Sequence, residues 1–383
     1  MSNSHPTITI SELVEAIHAA PGQIVLVVTG GGSGAISALL EVPGASRTVL
    51  EATVPYAPQA LAAWLGAKPE QSCSDRTARA MAMAAYERAC RYAGSSPSVP
   101  LAGVACTASL ASDRPKHGDH RIHIALQTAA DTWSWATTLQ KGRRSRGEEE
   151  QLAARMVLNC VARFLELEPR LPIEWRDEAT VEQHGHATSD RQQLLAGTVA
   201  TAASQSSPPP PRAILPGAFD PLHTGHRAMA ALGARRLGSK VDYELSIANV
   251  DKPPLDFIEM DRRAGQFADD ETLWFTRAPT FAEKAAIFPG VTFLVGADTI
   301  ERIGQPRYYG DDAQRAERAL DTIAAHGCRF LVFGRVKGAR FTTLADLELP
   351  AKLAALCDEV PASEFRNDIS STELRKRAAN ERE

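Results

Sequence analysis

The sequence predicts an α/β protein of two domains, and three observations predict it. Its 383 residues exceed the usual size of a single domain. Short apolar runs of strand character alternate with amphipathic stretches of helical period along most of the chain. One run, Ser204-Gln205-Ser206-Ser207-Pro208-Pro209-Pro210-Pro211, interrupts that alternation. Four prolines donate no backbone hydrogen bonds and favour a stiff, extended spacer. The expected division is a first domain over 1–167, a polar linker over 168–211 carrying one loose helix around 191–203, and a second domain over 212–383.

The elements follow in order. In the first domain Ser11 is positioned to cap a short helix, and 24–28 reads as a buried strand leading into a glycine-rich turn at 30–34. A helix over 75–92 is capped by Ser74 or Asp75. Strand-like runs follow at 104–106, 122–128 and 133–139, and the last helix covers 148–167. That helix opens on Glu148, Glu149 and Glu150, where the helix dipole favours anions. In the second domain 213–215, 243–247, 292–295 and 329–333 read as short buried strands separated by helices. Such a series suggests a doubly wound parallel sheet covered on both faces. Ligands of such sheets bind beyond the carboxyl ends of the strands.

Composition excludes several classes. A hydrophobic share of 44% with 23% charged residues is an ordinary globular mix. The net charge of −4 provides no overall basic field for a nucleic-acid backbone or an anionic membrane, so neither is expected as a partner. The longest strongly apolar run, at 24–28, is far short of the roughly 20 residues that span a bilayer. Residues 1–10 show no charged segment leading into an apolar one, so a cytoplasmic location is expected. The six cysteines form no CxxC pair, which reads as reduced thiols packed in cores rather than a disulfide frame or a zinc site.

The densest chemistry follows the first strand of the second domain. After Ala213-Ile214-Leu215 stands Pro216-Gly217-Ala218-Phe219-Asp220-Pro221-Leu222-His223-Thr224-Gly225-His226, then a helical run over 227–236. Gly217 permits close backbone approach at the strand end, and Gly225 leaves the mouth of the helix open. His223 and His226, three residues apart, project from one side of its first turn. Free N–H groups and the positive dipole end make such a turn an anion site. Two imidazoles there can donate to phosphate oxygens whose charge grows in a transition state. No neighbouring ligand completes a zinc site with them.

Two further segments bear on the same chemistry. Ile369-Ser370-Ser371-Thr372-Glu373-Leu374-Arg375 has capping-box spacing between Ser370 and Glu373, so a helix begins there and Arg375 can reach a phosphate with its forked guanidinium. Phe293-Leu294-Val295-Gly296-Ala297-Asp298 puts Gly296 and Asp298 at the carboxyl end of a strand, where Asp298 either contacts a ligand or caps the next helix.

The 216–226 string resembles the signature of the nucleotidylyltransferase superfamily, the HxGH adenylyl- and cytidylyltransferases, which implies a Rossmann-like fold for the second domain of this chain. The ISSTELR string is similar to that superfamily's phosphate-clamping motif, and Gly296-Ala297-Asp298 to its G-x-D segment. The resemblance covers essentially all of 212–379 and lies nearest the nicotinamide and nicotinate mononucleotide adenylyltransferases. It implies binding of the triphosphate by Gly217, Ala218, Phe219, Gly225, Gly296, Asp298, Ser370, Ser371 and Thr372. Its implied catalytic residues are His223, His226 and Arg375, and Mg²⁺ would enter with ATP. Lys252, in the block after the second strand, is either an acceptor-phosphate contact or a solvated lysine. Tyr308 and Tyr309 lie where relatives hold an aromatic residue against the pyridine ring, and simple packing is the alternative. The threonine-rich segment that the family carries before the G-x-D strand is altered here to Phe275-Thr276-Arg277-Ala278-Pro279-Thr280-Phe281.

The first domain resembles the C-terminal domain of CinA, the nicotinamide mononucleotide deamidase family, over about 9–167. The likeness rests on the glycine-rich turn, on Val42-Pro43-Gly44-Ala45-Ser46 and on Tyr56. That family needs a nucleophilic serine with a lysine near it. Thr29 falls at the serine position, and Leu61 stands five residues after Tyr56, where the family has lysine. The resemblance therefore implies a degenerate domain, in which Thr29, Gly31, Gly32 and Tyr56 could still hold a phosphate through backbone N–H groups, or a domain that forms a homo-oligomer.

Arg114, Lys116, His117, His120, Arg121 and His123 read as a solvated basic loop entering a strand, with anion or metal contact as alternatives. His184 and His186 fall in the linker and are assigned no role. The expected activity is transfer of AMP from ATP to a small phosphorylated acceptor. Its rivals are a deamidase in the first domain and a nucleotide sensor without turnover.

Overall fold

The computed structural model describes residues 8–366, apart from 95, 96, 115, 116, 169, 249–254, 338 and 339. The protein is α/β, and its chain divides into two compact units: 1–188 with 250–260, and 189–249 with 261–383.

The first unit runs α1 (Ile10–Ala19), β1 (Gln23–Thr29), α2 (Gly34–Glu41), β2 (Val49–Thr53), α3 (Pro58–Leu65), α4 (Asp75–Ala93), β3 (Leu101–Ser109), β4 (His120–Gln127), β5 (Asp131–Leu139), α5 (Arg146–Phe164) and β6 (Thr180–His186). The strands form one sheet in the order β2-β1-β3-β4-β5-β6. β1 is parallel to β2 and β3, and the remaining pairs are antiparallel. Leu13, Ile17, Ile24, Leu26, Val104, Val157 and Val161 share one core, so α1 and α5 pack with the central strands. Helix α4 lies close on β3: a Cβ on Gly103 would sit 2.0 Å from the Ala82 carbonyl oxygen.

Local chemistry explains the helix starts. Thr9, not Ser11, caps α1, because its hydroxyl accepts from the Glu12 N–H while Glu12 returns to the Thr9 N–H. Ser74 caps α4 by accepting from the Thr77 N–H. Ser145 and Glu148 form the capping box of α5, so that helix begins earlier than the glutamates alone indicated.

The second unit holds α6 (Ser189–Ala196), β7 (Thr201–Ala203), β8 (Ala213–Pro216), α7 (Thr224–Leu237), β9 (Val241–Ser246), α8 (Phe257–Ala264, in this unit from Asp261 on), β10 (Leu273–Thr276), α9 (Phe281–Ile287), β11 (Thr292–Gly296), α10 (Ala297–Ile303), α11 (Ala313–Ala325), β12 (Arg329–Phe333), β13 (Arg335–Lys337), β14 (Arg340–Thr342), α12 (Ala351–Ala354) and β15 (Cys357–Val360). The main sheet has the order β15-β12-β11-β8-β9-β10-β7, and β13 pairs with β14 in a separate hairpin. All its pairs are parallel except β10 with β7. Counted from β8, this is the doubly wound order whose direction reverses between the first and fourth strands, β8 and β11. The ladder between these two holds only at Ala213–Thr292 and Ile214–Phe293, whereas β8 stays paired with β9 through Pro216. The strand ends therefore part where the order reverses.

Residues 168–211 are not a plain linker. β6 belongs to the first sheet and β7 to the second, and α6 separates them along the chain, all within the 168–211 stretch. β6 escapes a reading by hydrophobic alternation because its side chains are almost all exposed, as suits an edge strand. β10 overlaps the 275–281 segment singled out above only at Phe275 and Thr276, both of them buried. Among the described residues no helix is long and apolar enough to cross a membrane.

Candidate functional site

Pro216 ends β8, and the chain turns into α7 through a loop held from α8 and the segment behind it. The Gly217 N–H donates to the Glu244 carbonyl at 2.9 Å. Arg263 donates to the Ala218 carbonyl at 2.6 Å, and Arg262 to the carboxylate of Asp220. Gln266 donates to the Phe219 carbonyl at 2.9 Å and accepts from the Leu222 N–H at 2.9 Å. Phe219 is buried with φ of +47°, a left-handed conformation that L residues other than glycine seldom adopt. Backbone strain of this kind persists only where surrounding contacts fix it. Three rings do so edge-on: His226 at 5.2 Å, Tyr243 at 5.6 Å and Phe267 at 5.2 Å. A Cβ on Gly217 would lie 2.6 Å from the Phe219 ring, so the residue types at 217 and 219 are linked.

His223 is the N-cap of α7, which starts at Thr224 and so takes in more of the motif than the expected 227–236. The rings of His223 and His226 stack at 3.8 Å between centroids, 25° from parallel. Nδ1 of His223 accepts from the Gly225 N–H at 3.2 Å, and Nδ1 of His226 accepts from the His223 N–H at 3.3 Å. A neutral imidazole that accepts at Nδ1 carries its proton at Nε2, so the backbone fixes the tautomer of both rings. Burial, then the neighbouring His223 and Arg335, push the pKa of His226 down to about 3. Burial and Arg335 also lower that of His223. At neutral pH the pair therefore presents uncharged Nε2–H donors.

Arg335, at the start of β13, relates the histidines to the end of β11. Its guanidinium lies 3.8 Å from Oδ1 of Asp298, and its Cδ lies 3.7 Å from where a Cβ on Gly296 would stand. Gly296 is the N-cap of α10 and Asp298 sits in its first turn, with no side-chain cap hydrogen bond. Oδ1 of Asp298 is buried without a hydrogen-bond partner among the described residues. A cavity of about 290 Å³ opens here, lined among others by Asp298, Glu301, Arg302, Arg307, Arg335 and Thr342. Arg302, Arg307 and Arg335 give it a basic wall suited to an anion. Sequence reading missed these arginines; the signal available was the position of Arg335 just after β12 and of Arg302 and Arg307 in and just after the last turn of α10.

Tyr308 and Tyr309 follow Arg307 in a short 3-10 turn. The Tyr309 hydroxyl donates to the Ile303 carbonyl at 3.1 Å, which is a packing contact. Tyr308 accepts from Arg307, whose guanidinium lies 4.7 Å over its ring. Lys252, Ser370, Ser371, Thr372 and Arg375 lie outside the described residues.

In the first unit the glycine-rich turn is already filled. Glu150 of α5 accepts from the N–H groups of Gly32 at 2.9 Å and Gly34 at 3.2 Å, and from the Ser33 hydroxyl at 2.9 Å. The expected phosphate cradle at Gly31 and Gly32 is thus occupied by the protein's own carboxylate. The Thr29 hydroxyl is buried and donates to the Pro55 carbonyl at 3.1 Å. Leu61 is buried in α3, and Tyr56 is exposed. His120 and His123 are not solvated loop residues: both are buried on β4, and His120 Nδ1 pairs with Glu149 at 2.7 Å. His184 and His186 lie on β6 against Asp131. A separate cavity of about 260 Å³, lined by Trp135, Asn159, Arg163, Trp175 and Glu182 among others, involves none of the residues singled out from sequence.

No family model matches the chain, and no curated protein matches it. Among solved structures it is similar to a competence/damage-inducible protein from Agrobacterium tumefaciens at 19% identity. That match covers 42% of this chain and 98% of the other, with a TM-score of 0.31. CinA-superfamily proteins from Enterobacter cloacae (18% identity, 43% and 98% covered, TM-score 0.34) and Escherichia coli (18%, 41% and 91%, 0.31) are similar in the same measure.

Proposed function

We propose that this chain is a nucleotidylyltransferase that moves AMP from ATP to a mononucleotide acceptor and releases pyrophosphate, with nicotinamide or nicotinate mononucleotide as the acceptor. One observation carries the reading. Two stacked imidazoles, with their tautomers set by the backbone, offer neutral N–H donors at the start of α7, beside the point where the strand order reverses.

The reaction asks little covalent chemistry of the protein. A phosphate oxygen of the acceptor attacks the α-phosphorus in line. The bond from that phosphorus to the bridging oxygen breaks, and pyrophosphate leaves with the electron pair. Catalysis then rests on holding the reactants and stabilising charge. His223 and His226 donate to phosphate oxygens as their charge grows; with its pKa near 3, His226 acts as a donor and not as a cation. Arg335 and the arginines of the cavity wall hold the polyphosphate, and Arg375, with Ser370, Ser371 and Thr372, is assigned to the departing pyrophosphate. Asp298 fits Mg²⁺ brought in with ATP, because its buried Oδ1 has no hydrogen-bond partner among the described residues. Held there, the ion would supply neutralisation of phosphate charge.

The first unit fits a CinA-like domain without deamidase chemistry. Its threonine hydroxyl is bonded to a carbonyl, Leu61 supplies no base, and Glu150 fills the turn.

The test is pyrophosphate release by the full chain with ATP or CTP and Mg²⁺ across a panel of phosphorylated acceptors. Release with ATP and a pyridine mononucleotide supports the proposal. ATP binding without release across the panel overturns it in favour of a sensor, and ammonia release from nicotinamide mononucleotide restores the deamidase.

A further inference from the structure

β5 and β6 pair antiparallel, with Asp131 opposite His186 and Trp133 opposite His184. Side chains two apart on a strand share a face, so these four residues stand together on one side of the sheet. Both imidazoles turn toward one atom. Nε2 of His184 lies 2.7 Å from Oδ1 of Asp131, and Nδ1 of His186 lies 2.8 Å from the same oxygen. The three potential ligand atoms lie within 4.8 Å of one another.

We propose that Asp131, His184 and His186 form a binding site for a divalent transition metal of the zinc class. Two imidazole nitrogens with one carboxylate oxygen suit Zn²⁺, Co²⁺ or Ni²⁺, whereas Ca²⁺ and Mg²⁺ prefer sets made of oxygen. Metal bonds of about 2.0–2.2 Å need tetrahedral ligand atoms roughly 3.3 Å apart. The contacts to Asp131 must therefore open by about half an ångström, which side-chain rotation supplies, since His186 is 63% exposed and His184 36%. A carboxylate oxygen only accepts, so the ring nitrogens facing it carry protons without metal. On binding, the metal displaces that proton, to the ring's other nitrogen or to solvent, and takes the freed lone pair.

One ligand is oriented in advance. The ring of His184 lies parallel to Trp133 at 3.6 Å, and Arg163 stands 3.8 Å from the Trp133 ring centre. Fixing a ligating ring by its surroundings is a general support of metal sites. A hydrogen-bonded clamp between two strands would need one histidine; the second, mostly exposed, adds little to stability by hydrogen bonding alone. Three protein ligands leave one coordination position for water or an anion.

The test uses the full chain, stripped with a chelator and desalted, then titrated with Co²⁺ alone and followed by its visible absorption, with Zn²⁺ as the displacing competitor. Saturable binding of one Co²⁺, displaced by Zn²⁺, supports the site if Asp131→Asn, His184→Ala and His186→Asn each weaken it by at least about tenfold. His117→Ala should leave it unchanged. Circular dichroism melting checks that each variant is folded, and the largely exposed His186→Asn keeps the test usable if Asp131→Asn does not fold. Absence of saturable binding by the parent chain overturns the proposal. So does binding that survives in the His184→Ala, His186→Ala double variant.

Discussion

Phe219 meets the ring of His226 edge-on at 5.2 Å, and this contact keeps water from one side of the imidazole. The pKa of His226 falls from 6.5 to about 3, with burial the largest cause. The unfolded chain therefore takes up a proton that the folded chain refuses. The contribution to stability is full above pH 6.5 and is lost as pH falls toward 3. Urea unfolding at about pH 7 and about pH 4 should show a smaller acid loss for His226→Gln than for the parent. Equal losses would show that His226 is not held neutral.

His226→Ala removes one of the two Nε2–H donors while leaving α7 capped by His223. Pyrophosphate release should drop by about 10²–10³, the usual loss for one charge-stabilising donor, with circular dichroism unchanged. Turnover at the parent rate would refute the role given to this ring.

Glu150 holds the glycine-rich turn shut. Replacing it with alanine strips the acceptor from two N–H groups and one hydroxyl, at a cost of about 1–3 kcal/mol. The freed N–H groups then form an anion cradle. Inorganic phosphate should raise the melting temperature of Glu150→Ala more than that of the parent; equal gains would mean the turn is not the phosphate site.

Lys284 and Glu244 form a buried ion pair at 2.6 Å, and the Thr276 hydroxyl also donates to Glu244 at 2.6 Å. Lys284→Met leaves a buried carboxylate without its cation and should cost about 3–5 kcal/mol in urea unfolding. Adding Glu244→Leu should recover most of that loss. Failure to recover it would mean that volume, not charge, dominates there.

Much of the fold was legible because buried parallel strands are continuous apolar runs. Ile214 and Leu215, Leu294 and Val295, and Leu331 to Phe333 all announce themselves in this way. β6 could not be read so, since an exposed edge strand carries polar residues such as Glu182, Gln183 and His184. The histidine pair was visible as a motif, but its neutral state was not, because that depends on how Phe219 packs within the same loop and on Arg335 arriving from elsewhere in the chain. Arg335 and the cavity arginines were hidden for the same reason. The three glutamates of α5 looked like one dipole effect and are three separate devices. Glu148 caps the helix, Glu149 binds His120 and the Ala111 N–H, and Glu150 closes the turn.

The ladder between β8 and β11 stops after two residue pairs. An opening made by main chain has a width set by the hydrogen bonds at its root, and side-chain exchange along its rim cannot change that width. Substitutions at the rim can therefore alter which chemical groups the crevice attracts, while the thickness of what slides between the strand tips stays constant. Redesign for a bulkier guest would have to move the strands themselves, beginning at Ile214 and Phe293.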